Sequence, residues 1–81
     1  MHGTLKTHGT MQIMDRTGHT SITWDADKPI EVSVAQATFD KLTREGYSAF
    51  EVESGDRQGR RMTTFDPKAE KIMMVPHLVG G

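Results

Sequence analysis

The chain has 81 residues and few side chains that could do chemistry. There is no cysteine, which removes thiolate nucleophiles, disulfides and thiolate metal sites. His2 and His8 sit in two His-Gly-Thr strings at 2–4 and 8–10, with no carboxylate or cysteine beside them, so no metal site is expected. Glu51 and Glu53 look like a carboxylate pair. They alternate with Phe50 and Val52, however, and read as the wet side of a strand. Arg57, Arg60 and Arg61 lie in a Gly-flanked turn next to Asp56 and read as a solvated loop. With no Ser/His/acid set and no phosphate loop, the chain is not expected to be an enzyme or to hold a cofactor.

What remains is the end of the sequence, Val75-Pro76-His77-Leu78-Val79-Gly80-Gly81. Two glycines without side chains contribute nothing to packing. They make a thin arm that fits a narrow channel and leaves the carboxylate unhindered. Such a carboxylate suits adenylation, thioester formation or amide formation by another protein. Gly81 is the candidate for the chemistry and Gly80 for access. His77, Leu78 and Val79, with Val75 and Met73 on the strand before them, are the candidates for recognition by a partner.

An arm of this kind needs a body to present it. Met11 to Arg16 and Ser21 to Trp24 read as a hairpin around Thr17-Gly18-His19-Thr20. Asp25 or Asp27 is expected to cap a helix over 30–45, with Pro29 in its first turn and Gly46 past its end. Ile30, Val34, Thr38 and Leu42, beside Ala35 and Phe39, predict its core-facing stripe. Tyr47 to Glu53 reads as a strand with Phe50 and Val52 buried. Arg60 to Phe65 reads as another strand, and Asp66-Pro67-Lys68-Ala69-Glu70 as a capped single helical turn. Lys71 to Val75 is the last strand, with Ile72 and Met74 opposed to Met73 and Val75. The expected fold is α+β, one helix across a mixed sheet in the order ββαββ, short helical turn, β. Residues 1–10 read as a flexible extension or short extra edge strand, 11–76 as the domain and 77–81 as the tail.

Composition narrows the partners. A net charge of −1 attracts neither nucleic acid nor an anionic membrane. No apolar run approaches the length of a membrane span and the start lacks a signal-peptide core, so a cytoplasmic protein is expected.

The element order, with Met11-Gln12-Ile13, Thr17-Gly18-His19-Thr20 before Ile22-Thr23, Pro29 ahead of the helix and the terminal Leu78-Val79-Gly80-Gly81, resembles ubiquitin and its relatives over residues 11–81. The resemblance implies a β-grasp fold, with first and last strands side by side at the centre. It also implies a modifier whose Gly81 carboxylate is activated by an E1-like enzyme. The carboxylate then passes to an E2-like enzyme and on to amines of target proteins, and a deconjugating protease reverses the linkage. Three features depart from ubiquitin itself: a first hairpin loop without an apolar residue, charge at Glu51 and Glu53, and His77 where ubiquitin has arginine. They imply a dedicated, bacterial activating enzyme. A sulfur carrier bearing a C-terminal thiocarboxylate shares the fold and tail. A non-conjugated structural or interaction module, for example a phage-related one, shares the body alone.

Overall fold

The computed structural model describes residues 8–15, 17–52 and 59–76. In chain order the elements are β1 (His8–Asp15), β2 (Gly18–Asp25), α1 (Pro29–Arg44), β3 (Ser48–Glu51), β4 (Arg60–Met62) and β5 (Lys71–Val75). The five strands form one mixed sheet in the order β2-β1-β5-β3-β4, with β1 and β5 parallel and the other pairs antiparallel. The first and last strands are therefore neighbours near the middle, and α1 covers one face. This is the expected α+β architecture.

The pairing registers assign every strand residue to a face. Met11 lies opposite both Ile22 and Ile72, and Met74 lies opposite both Ile13 and Ala49. These residues share the covered face. With Trp24, Ala35, Phe39 and Ala69, the residues Met11, Ala49, Ile72 and Met74 form the buried core. Ile13, Ile22, Val32, Leu42, Tyr47, Met62 and Phe65 pack around them. Each large apolar side chain fully buried there contributes on the order of 1.5–3 kcal/mol.

The hairpin forms where expected, although both strands are longer. β1 begins at His8, so Gly9 and Thr10 belong to a central strand, while residues 1–7 lie outside the described residues. Gly9 is opposite Trp24, and a Cβ there would stand 2.3 Å from the indole ring and 2.7 Å from the Ala69 carbonyl. The strand can pass the ring only because this residue has no side chain. At the turn, Asp15 Oδ1 accepts hydrogen bonds from the Thr17 backbone N–H (2.8 Å) and hydroxyl (2.9 Å).

Helix α1 starts one residue earlier than expected and its cap differs. Lys28 is the N-cap and makes no side-chain cap bond. Asp25 instead closes the turn before the helix. Its carboxylate accepts from the Asp27 N–H (2.9 Å) and its carbonyl from the Lys28 N–H (2.9 Å). Glu31, in the first turn, reaches back to accept from the Asp25 N–H (2.9 Å). At the other end Gly46 has φ +103°, a backbone region that disfavours other residues. The Gly46 N–H donates to Thr43 O and the Tyr47 N–H to Leu42 O, a Schellman close to the helix.

The expected core stripe is corrected. Ala35 and Phe39 are buried and Val32 and Leu42 half-buried, whereas Ile30 is 80% and Val34 59% exposed. The reason is geometric. Positions 32, 35, 39 and 42 alternate steps of three and four, which holds one direction at 3.6 residues per turn. Positions 30, 34, 38 and 42 advance by four each time, and the row drifts around the helix onto its flank.

Two further expectations are corrected. β4 ends at Met62, and Phe65 leaves the sheet to pack against Trp24 (ring centroids 5.1 Å apart) and Phe39 (5.8 Å). Asp66 to Glu70 forms a hydrogen-bonded turn and not a turn of helix. Asp66 accepts from the Lys68 N–H through its carboxylate (2.9 Å) and from the Ala69 N–H through its carbonyl (3.0 Å). Trp24 Nε1 donates to the Pro67 carbonyl (3.0 Å), tying this turn to the far hairpin strand.

Candidate functional site

β5 is the strand that leads to the diglycine, and it has a neighbour on each side. Ile72 and Met74 are fully buried under α1. Met73 and Val75 point to the opposite, uncovered face and are half-buried. The alternation expected from the sequence is present. Val75 is opposite Ser48, and β5 gives way to Pro76, which has no N–H to extend a ladder. His77, Leu78, Val79, Gly80 and Gly81 lie outside the described residues.

The register gathers a surface around Met73. Phe50 is opposite it on β3 and Gln12 opposite it on β1, and Arg61 is opposite Phe50 on β4. Met14 falls on the same face through the alternation of β1. Met14, Phe50, Met73 and Val75 thus give an apolar strip with Gln12, Ser48, Arg61 and Lys71 around it. Its chemistry is that of a contact surface.

This arrangement corrects the reading of β3. Phe50 is half-buried on the open face, and the buried residue is Ala49. Glu51 is opposite Ile72 and Arg60, which places it on the covered side at the sheet's end, not on the wet side. Val52 lies past the strand, where its N–H donates to the Lys71 carbonyl (2.9 Å). Period-two alternation normally buries the larger residue of each pair. Here the register sets Ala49 opposite Met62 and the buried Met74, so Ala49 takes the covered position and Phe50 the open one. No signal in the sequence distinguishes the two phases, so Phe50 escaped the sequence reading as a surface residue. Met14 and Arg61 join the strip for the same topological reason.

The other candidates do not converge. Arg60 and Arg61 point to opposite faces of β4, and Arg57 and Glu53 lie outside the described residues. His8 Nε2 is 3.7 Å from Asp25 Oδ2, whereas His19 is exposed along β2. Among the described residues, no group of three His, Cys, Asp or Glu side chains could hold a metal ion. Among the same residues no helix is long and apolar enough to cross a membrane. At the hairpin tip the two hydrogen bonds from Thr17, the backbone one first, hold the Asp15 carboxyl below its ordinary value of 3.8.

The chain matches no family model, no curated protein and no solved structure.

Proposed function

We propose that this protein is a ubiquitin-like modifier with a β-grasp body, and that its Gly81 carboxylate is joined to amines of target proteins. The observation that carries the reading is the position of β5. It is held between β1 and β3 in the interior of the sheet, and its next residues run through Pro76 to Gly80-Gly81. A strand held on both sides is a firm mount for an arm that a partner must grip and pull upon.

In this reading a Gly81 carboxylate oxygen attacks the α-phosphorus of ATP, releasing pyrophosphate and forming an acyl adenylate. A cysteine thiolate of the E1-like partner displaces AMP to give a thioester. An E2-like cysteine takes over the acyl group by thiol exchange. A target amine then displaces that thiol and an amide bond forms. The chain supplies the carboxylate and the recognition surface, and the partners supply the catalytic groups. His77, Leu78 and Val79 are read along the arm. Met73 and Val75, with Phe50, are read on the open face. A protease that recognises the same arm would reverse the linkage.

The test is mass spectrometry on the protein and its targets from native cells. Gly-Gly remnants on target lysines are the expected result. A Gly81 carboxylate carrying sulfur in place of oxygen, with no remnants, would assign the chain to sulfur transfer. Deletion of Gly80-Gly81 with every partner interaction and phenotype intact would sink both readings.

A further inference from the structure

The sheet sorts the methionines of this chain by face. Of the six, all but Met1 are among the described residues. Met11 and Met74 are fully buried. Met62 is half-buried and packs against the core. Met14 and Met73 are half-buried on the open face, where Met73 lies opposite Phe50 and Gln12. Each of β1 and β5 therefore carries one methionine inside and one outside: Met11 and Met14 on β1, Met74 and Met73 on β5.

A methionine thioether is apolar, and its sulfoxide is polar. A hydroperoxide makes the conversion. A sulfur lone pair attacks the outer peroxide oxygen, the O–O bond breaks, an S–O bond forms and water leaves; the sulfur is oxidised by two electrons and the peroxide is reduced. On the open face the new oxygen stays in water and costs the fold little. In the core the peroxide reaches a sulfur only when the sheet opens locally. A sulfoxide there would also need a hydrogen-bond donor, and the described core buries no polar side chain.

We propose that Met73 and Met14 form an oxidation site on the open face. A hydroperoxide converts them to sulfoxides while Met11 and Met74 remain thioethers, so the fold persists as the strip turns polar. Phe50 and Val75 are then its remaining apolar members. The strip is the surface assigned above to partner recognition, but the modification does not rest on that reading; it needs only the sorting of the sulfurs by the sheet.

Hydrogen peroxide on the full folded chain, followed by trypsin and tandem mass spectrometry, tests this site. Cleavage after Lys6, Arg16 and Lys71 leaves Met11 with Met14 in one peptide and Met73 with Met74 in another. Each inner sulfur is thus the control for its outer neighbour. Met73 is expected to oxidise roughly tenfold or more faster than Met74, and Met14 likewise faster than Met11. In urea, where all four are exposed, the difference is expected to vanish. The oxidised chain is expected to keep its circular dichroism spectrum and to leave a hydrophobic-interaction column earlier. Met73→Gln is expected to reproduce part of that shift without peroxide, and Met73→Leu to reduce the shift that peroxide causes. Met74 or Met11 oxidised as fast as its neighbour in the folded chain overturns the proposal. So does a chain that unfolds when only Met73 and Met14 carry oxygen, or one whose retention their oxidation leaves unchanged.

Discussion

At the scale of single residues, several positions do work that their type alone does not announce. Asp15 is exposed at the hairpin tip, yet its carboxylate gathers both Thr17 donors. Hydrogen bonds to the ionised form lower a pKa. The contribution of Asp15 to stability is then present above the unfolded value and lost as pH falls through the lower folded value. An NMR titration of the Asp15 carboxyl is expected to give a midpoint below 3.8, and Thr17→Val is expected to move it part of the way back, since the backbone donor remains. Gly9 works by the absence of a side chain. Gly9→Ala would drive a methyl group into Trp24 and the Ala69 carbonyl, at a cost of about 1–3 kcal/mol or more in urea unfolding. Trp24→Phe keeps most of the apolar contact but leaves the Pro67 carbonyl without its indole donor, and about 1 kcal/mol is the expected loss.

Among the elements, β3 and α1 define the division between inside and outside. Ala49 sits under the helix and Phe50 on the open face, so their substitutions should separate. Ala49→Leu overpacks the core and is expected to cost about 1–3 kcal/mol. Phe50→Ser is expected to cost much less in denaturant unfolding and, if the proposed function holds, to weaken binding of the activating partner instead. Equal losses of stability at the two sites would refute the assignment of faces. On α1, Phe39 meets Phe65 at 5.8 Å and is fully buried, and Phe39→Ala is expected to cost about 3–5 kcal/mol. Gly46→Ala, at φ +103°, is expected to cost about 1 kcal/mol through the Schellman close. Circular dichroism of both variants during thermal unfolding reads these losses.

For the whole molecule, the sheet order separates a covered core face from an open face with Phe50 and Met73, and leaves β2 and β4 at its two ends. If the proposed function holds, removing Gly80-Gly81 is expected to abolish ATP–pyrophosphate exchange with an activating partner and to leave the unfolding transition unchanged, since glycine has no side chain to bury. Loss of folding on that deletion would mean that the tail has a structural task.

Much of the fold was legible in local sequence, and each legible part rests on a short-range rule. Pro29 and Gly46 bracket α1 because their backbone preferences suit its two ends. Alternation in Lys71–Val75 puts Ile72 and Met74 inside, because a strand turns successive side chains to opposite faces. The hairpin around Gly18 rests on a similarly local backbone preference, whereas the segment after Asp66 reads as a helical turn in the sequence and closes as a hydrogen-bonded turn in the fold. What only the tertiary structure decided were matters of phase and adjacency. The choice of helix face in favour of Val32, Ala35, Phe39 and Leu42 depends on which side of α1 is laid against the sheet. The burial of Ala49 in place of Phe50 depends on the register that sets Ala49 opposite the buried Met74. The joining of Phe50 to Met73 depends on β3 pairing beside β5 across more than twenty residues of chain. Among the described residues, the place of β2 at the end of the sheet likewise depends on the sheet order and not on local pattern. Hydrophobic pattern is a property of neighbouring residues, whereas the face that meets another element is set by packing between distant ones.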